Sequence, residues 1–280
     1  MASIPTLTLR DGEVVPRLGM GTWHMGERAN NRAAEVAALR LGLDHGMNLI
    51  DTAEMYGDGG AESVVGEAIH GWRDGTFVVS KFYPHHASRL KLIAACDGSL
   101  AQLGGETIDL YLLHWRGTVP LEETVSTLEE LVRVGKIQRW GVSNFDVADM
   151  EALVAVPGGN RCAANQVLYN LAHRGPEFDL LPWCAARRIP IMAYSPLDEG
   201  PLARHPAVAA VARELKVTAA EVALAWTIRN PGVCTIPKAS REEHVRAIRK
   251  AADLRLDAAA IAALDRAFPP PTRKRPLEVI

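Results

Sequence analysis

Short apolar runs recur along this chain, separated by longer stretches with helical periodicity. The runs are Asn48-Leu49-Ile50, Phe77-Val78-Val79, Leu110 to Leu113, Trp140-Gly141-Val142, Cys162 to Ala164, Ile189 to Ala193 and Val233 to Ile236. In the stretches between them, Ile93, Cys96, Leu100 and Leu103 share one helical stripe, and so do Leu121, Val125, Leu128 and Val132. Strands that alternate with helices imply a parallel sheet covered by helices. Upstream, Thr6 to Leu9 and Glu13 to Val15 flank Asp11-Gly12, a strong hairpin signal. Downstream, a last helical pattern over Ala258 to Phe268 runs into Pro269-Pro270-Pro271 and a short tail.

What terminates each run narrows the fold further. Asp51 follows the first, Ser80-Lys81 the second, His114 the third and Ser143-Asn144 the fourth. The remaining three end at Asn165-Gln166, Tyr194-Ser195 and Lys238. A closed parallel barrel gathers every strand C-terminus on one face, and barrel enzymes keep their active sites there. An open doubly wound sheet would place a ligand only near its switch point. Polar or reactive residues at all of these ends therefore favour closure. The 280-residue length is near the about 250 typical of one such barrel. The expected fold is α/β, a (β/α)8 TIM barrel formed by residues 1–280 as a single domain, with an N-terminal β-hairpin and an extra C-terminal helix.

Charge and cysteine usage remove several function classes. The 31 Lys and Arg against 33 Asp and Glu leave a net charge of −2, so nothing draws the chain as a whole to nucleic acid or to an anionic membrane. Arg273-Lys274-Arg275 reads as a solvated tail. Cys96, Cys162, Cys184 and Cys234 stand far apart, without ligand spacing, so neither a disulfide framework nor a metal site is expected. Each reads as a small buried hydrophobe, with a reactive thiol at Cys184 as the open alternative. Met1-Ala2-Ser3-Ile4-Pro5 does not resemble a secretory leader, and no apolar run approaches a membrane span. A cytoplasmic monomer acting on a small molecule is expected.

Taken singly, the strand-end residues have ordinary structural readings: Lys81 as a surface charge, Asp51 as a cap, His114 as a core histidine, Tyr56 as an edge residue. Together they suit proton transfer. A tyrosine hydroxyl, with an unperturbed pKa of about 10, is a poor acid near neutrality. A neighbouring lysine would lower that value, a carboxylate would hold the lysine charged, and a histidine could hydrogen-bond a carbonyl oxygen. The common nucleotide and hydrolase motifs are absent: Gly19-Met20-Gly21 lacks the third glycine of a Rossmann loop, and Gly141-Val142-Ser143-Asn144-Phe145 is not a nucleophile elbow.

Gly19-Met20-Gly21-Thr22-Trp23, Asp51-Thr52-Ala53-Glu54-Met55-Tyr56-Gly57, Ser80-Lys81, Leu112-Leu113-His114-Trp115, Gly141-Val142-Ser143-Asn144-Phe145, Asn165-Gln166, Ala193-Tyr194-Ser195-Pro196-Leu197 and Ile236-Pro237-Lys238 occur in order along the chain. In these motifs the sequence resembles the aldo-keto reductases along nearly its whole length, most of all the bacterial methylglyoxal and aldehyde reductase type. The resemblance implies a catalytic set of Asp51, Tyr56, Lys81 and His114, and NADPH as cofactor rather than NADH. It implies that Ser143, Asn144 and Gln166 bind the nicotinamide carboxamide and that Tyr194 stacks on the ring. Gly21, Thr22, Trp23, Asp51, Ser195 and Leu197 match other cofactor contacts, and Lys238, Ser240, Arg241 and His244 match its phosphate end. Trp23, Tyr83, His114 and Trp115 match the substrate pocket. The chain departs from many relatives in the short segment Asp198 to Arg204, in His244 where an arginine is common, and in Ala247 and Ile248 where Glu and Asn often meet adenine.

The implied activity is hydride transfer from NADPH to small aldehydes, 2-oxoaldehydes or ketones, with Tyr56 as proton donor. Two alternatives use part of the set. A barrel lyase would take Lys81 as a Schiff-base nucleophile, and a non-catalytic regulatory barrel would bind NADPH without turnover.

Overall fold

The computed structural model describes residues 3–280; Met1 and Ala2, which open both the leader motif considered above and the proposed 1–280 domain, lie outside the described residues. Two strands, β1 (Thr6–Thr8) and β2 (Val14–Pro16), form the expected antiparallel hairpin, with Leu7 opposite Val15. Gly12 turns it at φ +97°, a left-handed conformation that glycine adopts without a Cβ clash.

Eight parallel strands follow in sequence order: β3 (Met20–Gly21), β4 (Leu49–Asp51), β5 (Phe77–Phe82), β6 (Leu110–Leu113), β7 (Trp140–Ser143), β8 (Asn165–Leu168), β9 (Ile191–Tyr194) and β10 (Val233–Thr235). The first and last meet: Gly19 N–H donates to Thr235 O at 2.8 Å, and Gly21 N–H donates to Pro237 O at 3.0 Å. A Cβ on Gly21 would lie 2.5 Å from Ile236 O, so glycine is what lets this seam close. The expected (β/α)8 barrel is thus formed. Two sequence assignments shift. Met20–Gly21 is a barrel strand, and the strand expected over Cys162 to Ala164 pairs instead from Asn165, which puts the polar Asn165-Gln166 inside it.

The helices are α1 (Arg32–Asp44), α2 (Gly60–Ile69), α3 (Arg89–Leu103), α4 (Leu121–Arg133), α5 (Val147–Ala155), α6 (Leu180–Ala186), α7 (Pro201–Arg204), α8 (Pro206–Leu215), α9 (Ala219–Thr227), α10 (Glu242–Ala251) and α11 (Ala258–Ala267). One of α1 to α6, α9 and α10 follows each barrel strand. The expected extra C-terminal helix is α11, and it packs on a further helix, α8, inserted between β9 and β10.

Strand alternation sorts the core into two layers. Leu18, Met20, Ile50, Val78, Tyr111, Val142, Val167, Ile191 and Ala193 pack outward with the helices. Leu49, Phe77, Val79, Leu110, Leu112, Ala164, Met192, Cys234 and Ile236 fill the barrel, plugged from below by Leu7, Leu9 and Val15 of the hairpin. Because the side-chain period is two, the inward phase continues upward: Leu49 to Asp51, Val79 to Lys81, Leu112 to His114, Ala164 to Gln166, Met192 to Tyr194, Ile236 to Lys238. The same register that fills the core with apolar residues delivers these side chains to its mouth.

All four cysteines are buried and unpaired, and burial pushes the Cys184 thiol up to about 12, which makes it an inert packing group. Among the described residues, no helix is long and apolar enough to cross a membrane.

Candidate active site

Lys81 is the centre of the mouth. It is fully buried, and its ammonium donates to Asp51 Oδ2 at 2.7 Å, to Thr52 O at 2.8 Å and to Tyr56 OH at 3.1 Å. An ammonium has three donors and no lone pair, so all three are engaged and Tyr56 accepts. The phenolic proton of Tyr56 therefore points away from Lys81 and is free for a ligand.

Asp51 is buried and accepts a second hydrogen bond at Oδ1, from Gln166 Nε2 at 2.7 Å. Burial pushes its carboxyl up, against the Lys81 charge and both hydrogen bonds. Burial pulls the Lys81 ammonium down, but Asp51 and Tyr56 outweigh it and the net shift is upward. Two donors converge on one carboxyl group, which is the arrangement of an ionised acceptor.

Tyr56 departs from the sequence expectation. Burial raises its pKa above the ordinary value, Lys81 pulls against this, and the balance is upward. Lys81 thus limits the cost of forming a buried phenolate rather than bringing it below an exposed one. A raised value keeps the phenol protonated near neutrality, the state a proton donor needs.

His114 lies beside the tyrosine, with ring centroids 5.9 Å apart. Burial and then the Lys81 charge lower its pKa from 6.5 to about 3, so the imidazole is neutral. Its buried Nδ1 has no hydrogen-bond partner among the described residues, which leaves Nε2 as the polar edge available to a substrate. One consequence is a pH dependence. Below pH 6.5 the unfolded chain takes up a proton that folded His114 refuses, so stability is lost as pH falls from there toward about 3. His114→Gln removes this component, and its melting temperature should fall less between about pH 7 and pH 5 than that of the wild type. Equal falls would contradict the neutral assignment.

The remaining polar residues form a second tier. Ser143 donates Oγ to Gln166 O at 2.9 Å. Asn144 donates Nδ2 to His114 O at 3.2 Å and accepts from Tyr194 OH at 3.0 Å. Thr22 donates Oγ1 to Asp51 O at 2.9 Å. Asn144 at φ +60° and Ser195 at φ +47° are non-glycine residues in the left-handed region, a backbone arrangement that clusters at functional sites. Burial pushes Tyr194 up to about 12, so its hydroxyl stays protonated.

Around the rim, Trp23 meets the Tyr56 ring edge-on at 4.8 Å, and Tyr83 meets Trp115 edge-on at 6.0 Å. Tyr83, assigned to the pocket from sequence, stands half-buried at this rim. Glu54 has a role that sequence did not assign. Its Oε1 accepts from Tyr83 N–H at 2.6 Å and lies 2.9 Å from His86 Nδ1, fixing the rim loop to the loop that carries Tyr56.

Farther out, Lys238 pairs with Gly21 at the barrel seam, and Arg241 is the exposed N-cap of α10. No side chain caps that helix, so its first N–H groups remain available to an anion. Arg241 Nη2 lies 2.9 Å from His244 Nε2 and its Nη1 lies 3.3 Å from Glu243 Oε1, an exposed carboxylate that a bound phosphate would displace, while Glu242 is turned to Arg246 at 2.6 Å. Leu197 and Ser240 are half-buried along the same edge. These donors fit a dinucleotide, with amide and hydroxyl groups and Tyr194 at the inner end and cations beside a helix N-terminus at the outer. A groove of about 1220 Å³ at the opposite face is lined by charged residues that include Asp44, His45, Arg73, Asp109 and Arg249, but by no tyrosine or lysine. Polar groups at that face belong to stability.

Comparison with known proteins agrees with this geometry. A family model described as the aldo/keto reductase family matches residues 17–268. The chain is 50% identical to methylglyoxal reductase YeaE of Escherichia coli (strain K12) over 271 residues, 95% of each chain. It is 31% identical to methylglyoxal reductase DkgB of Salmonella typhimurium, covering 90% of this chain and 93% of that one. An aldo-keto reductase from Klebsiella pneumoniae, solved in complex with NADPH, superposes with a TM-score of 0.97 at 50% identity, covering 100% of both chains. The chain therefore belongs to the aldo/keto reductase family.

Proposed function

We propose that this protein reduces small aldehydes, 2-oxoaldehydes and ketones to alcohols with NADPH, and that Tyr56 gives the proton. The observation that carries the assignment is the saturated Lys81 ammonium, which leaves the Tyr56 proton free beside a neutral His114. NADPH supplies the hydride when bound. His114 orients the carbonyl oxygen through Nε2, Tyr56 protonates that oxygen as negative charge develops, and Lys81 stabilises the phenolate left behind. The lyase alternative needs a neutral lysine amine with a free lone pair, whereas Lys81 is held charged with every donor engaged. The names of the E. coli and Salmonella relatives favour a 2-oxoaldehyde substrate.

Ser143, Asn144 and Gln166 would hold the carboxamide, Tyr194 the ring face, and Gly21, Thr22, Trp23, Ser195 and Leu197 the adjoining contacts. Lys238, Ser240, Arg241 and His244 would hold the phosphate end. One chain supplies every group, so the proposed unit is a monomer; with a net charge of −2 it is proposed to act in the cytoplasm without a nucleic-acid partner. The readings are tested together by kcat/KM over a carbonyl panel with NADPH and NADH. NADPH should be preferred, because Lys238 and Arg241 offer charge to a phosphate that NADH lacks. Lys238→Ala should lose about tenfold or more with NADPH and little with NADH, the loss of one charge-assisted contact of roughly 1.5–3 kcal/mol. Equal kcat/KM for the two cofactors in the wild type contradicts the preference. Equal losses in the variant contradict its cause.

A further inference from the structure

A histidine between two carboxyl groups, outside the catalytic set, joins three segments at one edge of the mouth. His173, in the turn after β8, lies with Nδ1 2.9 Å from Glu278 Oε2 and Nε2 3.1 Å from Asp198 Oδ1. Glu278 is near the end of the C-terminal tail. Asp198 follows Ser195 and Leu197 in the short loop after β9.

Each of the three segments also has contacts of its own. The turn carrying His173 is rigid: the fully buried Asn170 donates to Ser195 O at 2.8 Å and accepts from the N–H groups of Ala172 and His173. The start of the tail is anchored to the same turn, since Arg174 pairs with Asp265 of α11 at 2.7 Å and also bonds Phe268 O. Beyond that anchor, the tail is held by Lys274, 3.3 Å from Asp179, by Leu277 packed against the core, and by Glu278 at His173. Its last residue, Ile280, brings its main chain beside the Tyr194 hydroxyl. The loop after β9 carries Asp198 and Glu199 at φ +52°, a left-handed backbone that persists where surrounding contacts hold it.

We propose that His173 is a positioning residue for cofactor retention, clasping the C-terminal tail to the loop after β9 so that bound NADPH leaves only when both let go. The proposal rests on the reading that places the cofactor at Ser195 and Leu197. It gives the tail a part in cofactor exchange, and it makes release the step that the clasp controls.

The test is the dissociation rate of NADPH, followed by loss of its bound-state fluorescence when excess NADP+ is mixed with the preformed complex. His173→Ala and Glu278→Gln should each raise that rate about fivefold or more, since contacts of this kind act mainly on the off-rate. The double variant should add little to His173→Ala, because Glu278 acts through His173. His173→Arg should restore retention, as a guanidinium can fork to two carboxylates. A merely structural role would lower the melting temperature and kcat while leaving dissociation unchanged. Glu278 is exposed and lies outside any helix or strand, so Glu278→Gln carries the test if His173→Ala fails to fold. Dissociation within twofold of wild type in Glu278→Gln overturns the clasp. Wild type that binds no NADPH overturns the cofactor reading, and the clasp with it.

Discussion

Tyr56→Phe should fold, bind NADPH as tightly as the wild type, and lose about 10²–10⁴-fold in kcat/KM for its best aldehyde, the usual worth of a general acid. The substitution keeps the ring and its edge contact with Trp23 at 4.8 Å, and removes only the hydroxyl that accepts from Lys81. The wide range reflects how much the remaining groups can do. Neutral His114 can still donate one hydrogen bond to the carbonyl oxygen, but it cannot supply a second proton from an imidazolium, its pKa being about 3. Water would have to protonate the alkoxide. Reduction within about threefold of wild type would fall well short of that range and would remove Tyr56 from its role.

Lys81→Met should be nearly as damaging to reduction, and worse for the reverse reaction. The wild-type ammonium opposes the burial that raises the Tyr56 pKa. Without it the phenolate becomes still harder to form, so the alcohol-oxidation rate should fall further than reduction and its rising limb should move to higher pH. Stability is also affected. Asp51 loses its charged partner, and removing one member of a buried pair costs about 3–5 kcal/mol unless the survivor neutralises. Asp51 already has its carboxyl pushed up by burial, so protonation offers it that relief. Melting and cofactor binding measured beside the rates separate the two effects. A folded Lys81→Met with an unchanged oxidation profile would show that Lys81 does not act on the tyrosine.

Much of the site was legible because a strand's period of two is rigid. Once Leu49, Val79 and Leu112 are inward, Asp51, Lys81 and His114 must be as well, and parallel strands bring them to one face. Tyr56 lies on a loop, and only its motif singled it out. Met20–Gly21 escaped as a strand because two residues form no apolar run; its pairing depends on Pro237 and Thr235, more than two hundred residues away in sequence. Strand β8 was placed too early because polar Asn165 and Gln166 do not look like a buried strand, though both are fully buried at the barrel's polar top. The direction of the Tyr56 shift was missed for a different reason. Sequence lists the neighbouring charges, but desolvation depends on how deeply the folded barrel encloses the ring. His173 and Glu278 are separated by 105 positions and nothing local couples them. Glu54 stood inside a quoted motif, yet its partners Tyr83 and His86 appear only when two loops meet.

The central claim is that this barrel moves a hydride to a carbonyl carbon and a proton from Tyr56 to the oxygen. It is tested most directly by incubating the wild type and Tyr56→Phe with methylglyoxal and NADPH that carries deuterium at its transferable C4 position. The product is then examined by mass spectrometry and NMR. The account predicts that the wild type consumes NADPH and forms an alcohol with one deuterium on the former carbonyl carbon, and that Tyr56→Phe gives the same labelled product far more slowly. Alcohol without deuterium at that carbon, or no oxidation of NADPH by the wild type with any carbonyl compound, would contradict it.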